Sequence, residues 1–331
     1  MPEFPATRLE KMRFLLNYWE WCEKILHQPV KIIRRLWNND PHWPFYCDFE
    51  ASNALIRQTL TADNPCMICR FGSGELCAIV TYLHSQDSFF RKIYHMCNED
   101  SVTWNSGIKL GMRRNAGFFP AEDTYLDRFA ELMLRDIPEA DILGSWLRHE
   151  LSLKSYLDHV KAVPLSSLEP YWHNNPWSEV LKGKKVLVVH PFVKSIRAQY
   201  ARRELLFKDP RVLPEFELKT IPAVQSAAGN KVDFPDWFAA LDDMKSKISS
   251  TDFDIAIIGA GAYGFPLAAH VKRMGKKAVH LGGASQLLFG IRGNRWEHWE
   301  RYQNLFNDAW VRPLPEETPP LADQVEGATY W

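Results

Sequence analysis

The 331-residue chain has no uninterrupted apolar run approaching the ~18 residues of a membrane-spanning helix. Its opening residues, MPEFPATRLEKMRF, lack the apolar centre of a secretory signal. Cysteine is missing after position 97. The six thiols, Cys22, Cys47, Cys66, Cys69, Cys77 and Cys97, crowd the first third without partners downstream. That distribution fits reduced thiols in a cytoplasmic protein. Neither sign of charge is in excess, with Lys+Arg and Asp+Glu at 40 each, so no basic surplus points to nucleic acid. Repeats and low-complexity linkers are also lacking. We therefore expect one catalytic-size domain over residues 46–331, preceded by an N-terminal helical extension over residues 1–45.

Tryptophan is what the chain has in plenty, at 13 residues. It suits a large flat surface that meets a polar ligand or an interface, and equally a Trp-rich core and rim. Residues 8–28 read as an amphipathic helix, with Leu9, Met12, Leu16, Trp19 and Leu26 at helical spacing and Pro29 after its end. The apolar-basic piece VKIIRRLW follows. Together they offer a peripheral contact at the inner face of a membrane or, since Glu20 and Glu23 dilute the positive charge, a helix docked on protein.

Further on, strand and helix patterns alternate. Met67–Phe71 reads as a strand that turns at Gly72 and Gly74 into a helix, and NEDSVTWNSGIKLGMRRNAGFFP reads as partly loop. TYLDRFAELMLRDI is helical and ADILGSW a short strand. KKVLVVH is a buried strand with a helix from about Ser195 to Phe207. FELKTIPA is a strand, and PDWFAALDDMKSKISS a helix with Asp233 as its expected cap. FDIAIIG, FPLAAHVKRMG and KAVHLGG complete the series as strand, helix and strand. This alternation predicts an α/β fold, a Rossmann-like parallel sheet with helices on both faces, followed by an irregular C-terminal tail. Ligands then gather at the carboxyl ends of the strands. Cys66 and Cys69 form a C-x-x-C inside one strand, where residues three apart face opposite ways, so the pair does not read as a metal or redox motif.

Gly259, Gly261 and Gly264 give the spacing G-x-G-x-x-G between a strand and a helix. A dinucleotide site also needs an acid at the end of the next strand to bind ribose hydroxyls. There the chain reads HLGGASQLLFG, with Leu281 followed by Gly282 and Gly283, so NAD is not expected. The turn still presents backbone N–H groups to any phosphate.

RFGSGEL at 70–76, NAGFFP at 115–120, VVHPF at 188–192, the long block from Gly259 to Trp296 and the VEGATYW ending resemble the GT-D-type glycosyltransferase family, in a branch associated with bacterial polysaccharide genes. The resemblance covers most of residues 60–331. It implies a Rossmann-like fold, a nucleotide-sugar donor, a glycan or lipid-linked saccharide acceptor, and Mn²⁺ or Mg²⁺. The family signature is D-x-E within R-F-G-D-G-E. Here Ser73 stands in place of the Asp, while Glu75 keeps the Glu. A hydroxyl and one carboxylate hold a hard cation weakly, so cationic side chains are the alternative counter-charge.

Sugar transfer must neutralise a leaving diphosphate, place the acceptor hydroxyl and remove its proton. Arg70 offers a planar fork to phosphate, Gly72, Ser73 and Gly74 admit the donor, and Glu75 is either base or metal ligand. His190 ends a strand and is either base or phosphate contact. Lys194, Ser195 and Arg197 stand where a helix start forms an anion nest. Gly282, Gly283 and Gln286 line another turn, while Asn105 and Asn115 are loop candidates for sugar hydroxyls. Arg292, Arg295, Trp296 and Trp299 either stack a sugar or base or staple the tail to the core. His270 reads as surface or packing. Three functions compete: a nucleotide-sugar glycosyltransferase, a non-catalytic nucleotide-sugar binder or scaffold, and an NAD(P) oxidoreductase disfavoured by the missing acid.

Overall fold

The computed structural model describes residues 45, 47–97, 100–325 and 327–331. The expected N-terminal helix and its membrane contact therefore lie outside the described residues. Two compact units are distinguished. Thr81–Trp104 belongs to one, and His42–Val80 with Asn105–Trp331 to the other.

The larger unit is built on a seven-stranded, wholly parallel sheet in the order β3-β2-β1-β7-β6-β4-β5. The strands are β1 Cys66–Cys69, β2 Ile142–Ser145, β3 Lys161–Pro164, β4 Lys185–His190, β5 Glu217–Pro222, β6 Ile255–Ile258 and β7 Lys277–His280. The helices, in chain order, are α1 Phe49–Thr61, α2 Ser73–Gln86, α3 Phe89–Cys97, α4 Ser106–Arg114, α5 Asp123–Asp136, α6 Val193–Tyr200, α7 Trp237–Ser249 and α8 Gly264–Arg273; α3 and the last part of α2 belong to the smaller unit and the others to the larger. The Rossmann-like α/β architecture expected from the alternation is present.

Side chains on successive strand residues face opposite ways. Ile68, Ile142, Val186, Val188, Ile255, Ile257 and Val279 pack on one face with Ile56 and Leu60 of α1 and Ile196 of α6. Their alternates, Met67, Leu143, Leu187, Ala256 and Ala278, are equally buried outside that cluster, and α8 lies against β1, β6 and β7. Burial on both faces explains why the central strands read as continuous apolar runs. The edge strands β3 and β5 are the partly exposed ones.

Several local expectations shift. α4 occupies a stretch expected to be partly loop. It buries only Met112, so no apolar stripe announces it. Its ends hold it instead: the Asn105 side chain accepts from Ile108 N at 3.0 Å, and Asn115 N donates to Gly111 O at 2.9 Å. α6 stops at Tyr200 rather than running to Phe207, and a short 3-10 turn, Arg203–Leu205, delivers Leu206 to the core. The cap of α7 is Asp236, not Asp233: Asp236 Oδ1 accepts from Ala239 N at 2.8 Å. Pro235 disfavours helical geometry for the residue before it, so the helix starts after the proline. Among the described residues no helix is long and apolar enough to cross a membrane.

The two aspartates are separable by experiment. Asp236→Ala should lower unfolding free energy by about 1 kcal/mol in a urea titration. Asp233→Ala, an exposed residue, should stay within about 0.5 kcal/mol of the parent. The reverse order would move the cap.

Candidate functional site

Because every strand runs the same way, the turns after β1, β2, β4, β5, β6 and β7 all border one pocket at the carboxyl edge of the sheet. The chain reverses its outward progress around β1, β7, β6 and β4, which is where α/β sheets open a crevice.

The β1–α2 turn supplies Arg70, Gly72, Ser73, Gly74 and Glu75. Glu75 is the third residue of α2, and its carboxylate folds back over Gly72, where any side chain would collide with it. This is the third-residue placement of a capping-box acid, and the same carboxylate lines the pocket. Arg70 packs its guanidinium over the Trp146 ring, Cζ 5.1 Å from the centroid. Burial pulls its pKa below the ordinary arginine value, and among nearby charges Glu75 opposes that most. Trp146 is fixed in turn, its indole donating to Phe71 O at 3.0 Å. Behind it, the buried Glu150 carboxylate accepts from Ser145 Oγ and, at 3.3 Å, from the backbone N–H of Trp146 and of Leu147. Burial raises the pKa of Glu150, and those bonds oppose the rise.

The G-x-G-x-x-G turn reaches the same pocket from β6. Gly261 adopts a φ of 51°, and a side chain at Gly264 would run into the His280 ring, so α8 can lie close to β7 only with glycine there. Gly259, Gly261, Gly282 and Gly283 line the pocket, whereas Gly264 is a packing residue.

Two buried histidines complete the floor. His190 Nδ1 accepts from Phe192 N at 2.9 Å, and burial pushes its pKa down to about 3. The neutral ring therefore carries its proton on Nε2. That tautomer supplies a donor for phosphate, not the base that strand-end position also allowed. His280 has the opposite tautomer. Its Nδ1 lies 3.2 Å from Ile258 O, which can only accept, so the lone pair is on Nε2. Burial first, and then the Arg70 charge, push its pKa down to about 3 as well.

Other expected residues divide between pocket and framework. Asn115 lines the pocket, while Asn105 caps α4. The anion nest at the start of α6 is real, but a side chain of the tail fills it. Glu317 accepts from Lys194 N at 2.7 Å, from Ser195 N at 3.2 Å and from Ser195 Oγ. Lys194 and Ser195 are thereby tail anchors, and Arg197 bonds Thr220 Oγ1 at 2.8 Å. Gln286 lies at the pocket, but its amide nitrogen bonds the carbonyls of Ile291 at 3.3 Å and Tyr330 at 3.1 Å, again holding the tail. Arg295 lines the pocket beside Tyr330, its Cζ 5.2 Å from that ring. Trp296 is buried against Tyr302 and Tyr330 as a staple, Trp299 is exposed, and Arg292 meets the tail through its backbone N–H to Val311 O. His270 bonds Ser249 Oγ at 2.9 Å on the outer side of α8.

The sequence reading missed His280, Trp146, Tyr330 and Trp331 as pocket residues. His280 stood at the end of a strand and was open to the argument used for His190. Nothing local announced Trp146 or the tail residues.

Glu75 is the one carboxylate among the residues lining the pocket, with Arg70 beside it, and Ser73 offers a hydroxyl from an exposed position. Mn²⁺ or Mg²⁺ asks for about six oxygen ligands and more than one negative side chain or phosphate. This donor set does not fit such an ion. Comparison with protein-family models, with curated proteins and with solved structures finds no match.

His190 and His280 both have folded pKa values below the unfolded value of about 6.5. Their neutral forms contribute stability fully above that value, and it is lost as pH falls towards 3, because the unfolded chain takes up the protons first. Unfolding free energy should therefore decline across that window, and His190→Gln should flatten the slope by up to one proton. Ring NMR signals of either histidine titrating near neutrality would refute the assignment.

Proposed function

We propose that the chain is a nucleotide-sugar glycosyltransferase whose donor diphosphate is held by cationic and backbone groups rather than by a metal ion. One observation carries the reading: Arg70, Glu75 and the G-x-G-x-x-G turn border a single pocket at the strand carboxyl ends. A guanidinium fixed between an indole and a backbone turn is preorganised to pair with a diphosphate. Gly259, Gly261 and Gly282 offer backbone approach, and His190 Nε2–H a neutral donor. Glu75 is the candidate base. It takes the proton of the acceptor hydroxyl as the new glycosidic C–O bond forms and the sugar–diphosphate bond breaks, releasing a nucleoside diphosphate. The acceptor, a glycan or lipid-linked saccharide, approaches from the side of Ser73, which is exposed.

The dinucleotide alternative is disfavoured at the same place. β7 ends at His280 and Leu281 follows it, so no acid stands where a ribose would be bound. A non-catalytic sugar-nucleotide binder is the second reading, favoured by Ser73 and by the engagement of Glu75 over Gly72.

Calorimetry with UDP-, GDP-, CMP- and dTDP-sugars, NADH and NADPH, each with Mn²⁺ or with chelator, tests the proposal. One sugar nucleotide should bind, with affinity changed less than about threefold by chelator, and Arg70→Ala should weaken it at least tenfold, the scale of a lost charge-assisted hydrogen bond. Binding of NAD(P)H alone, or strict dependence on Mn²⁺, would overturn it. Glu75→Gln should cut turnover by about 100-fold or more while sparing donor affinity; unchanged turnover would remove Glu75 from the mechanism.

A further inference from the structure

We propose that His84, His95 and Asp100 form a binding site for a Zn²⁺-class ion, separate from the pocket. All three lie in the unit that contains Thr81–Trp104. One ligand atom from each falls within 4.8 Å of the other two. His84 sits in the last turn of α2, His95 in the last turn of α3, and Asp100 just beyond. The ion ties these segments together.

Hydrogen bonding fixes which atoms face inwards. His95 Nε2 lies 2.9 Å from Asp87 Oδ2, and a carboxylate can only accept, so Nε2 carries the proton. The lone pair is then on Nδ1, which lies 3.8 Å from Asp100 Oδ2. A metal ion placed between these two acceptors would be bound by both. An ion with bonds of about 2.0–2.2 Å to nitrogen and oxygen spans their separation. The second observation is independent. His84 is 6% exposed, and its Nδ1 is buried with no hydrogen-bond partner. An unpartnered ring nitrogen at that depth is a free position for a metal ion to take.

Two imidazoles and one carboxylate suit zinc better than magnesium or calcium, and three protein ligands leave a fourth position for water. Asp87 plays the outer-shell part, orienting His95 from behind as carboxylates do at many zinc sites. The two rings are stacked, with centroids 3.5 Å apart. An imidazole lone pair lies in its ring plane, so coordination by both rings requires one to swing out of the stack.

The test uses the full chain, stripped with chelator and titrated with Zn²⁺ against a chromophoric competitor. One tight equivalent is expected. His84→Gln, His95→Gln and Asp100→Asn should each weaken it at least tenfold, and Asp87→Asn by about tenfold to 100-fold. Equal affinity and stoichiometry in the parent and in a His84→Gln/His95→Gln double variant would overturn the proposal. Circular dichroism checks that each variant is folded. If one is not, Co²⁺ loaded into the parent chain decides. Weak visible bands without thiolate charge transfer support the site, and a thiolate band, or no bound Co²⁺, refutes it.

Discussion

The parallel direction of all seven strands is the constraint from which the site follows. The chain must return to the amino edge before each new strand begins, so every turn that leaves a strand lies along the opposite, carboxyl edge. Turns that are far apart in sequence, at residues 70–75, 190–192, 259–261 and 280–283, thereby share one pocket. Both faces of the central strands are buried, so the turns at the carboxyl edge rest on a packed sheet.

Within the pocket, burial sorts the charges. It holds both histidines neutral, and the bonds to Phe192 N and Ile258 O give them opposite tautomers. Positive charge at the strand ends therefore comes from the guanidinium of Arg70 on Trp146 and from Arg295 beside Tyr330. Under the proposed function, these two guanidinium groups take the counter-charge role that Ser73 cannot share with Glu75 through a metal ion.

The tail is part of the domain rather than an appendage. Glu317 fills the start of α6, its carbonyl accepts from Trp331 Nε1 at 3.1 Å and from Gln225 Nε2 at 3.1 Å, and Arg312 holds Trp331 O at 2.6 Å. Tyr330 and Trp331 become pocket wall as a result. A helix terminus that looked available for phosphate is satisfied internally, because an unpaired buried N–H group would be costly.

By itself the sequence determined the fold class and most strand and helix positions, because buried strands must be apolar and their helices periodic. It also determined that strand-end residues such as Arg70, Glu75 and His190 gather at one edge. Elements without such a pattern were not legible. α4 is held by its caps, and β3 lies at the sheet edge, with a short, partly exposed run. Only the tertiary structure decided which polar groups are taken. Asn105 went to a helix cap, Ser195 to Glu317 and Gln286 to the tail, while Trp146, His280 and Tyr330 came to the pocket. The Asn105 cap is a local contact with Ile108, but Ser195 and Glu317 lie 122 residues apart, and no local spacing records such a pairing.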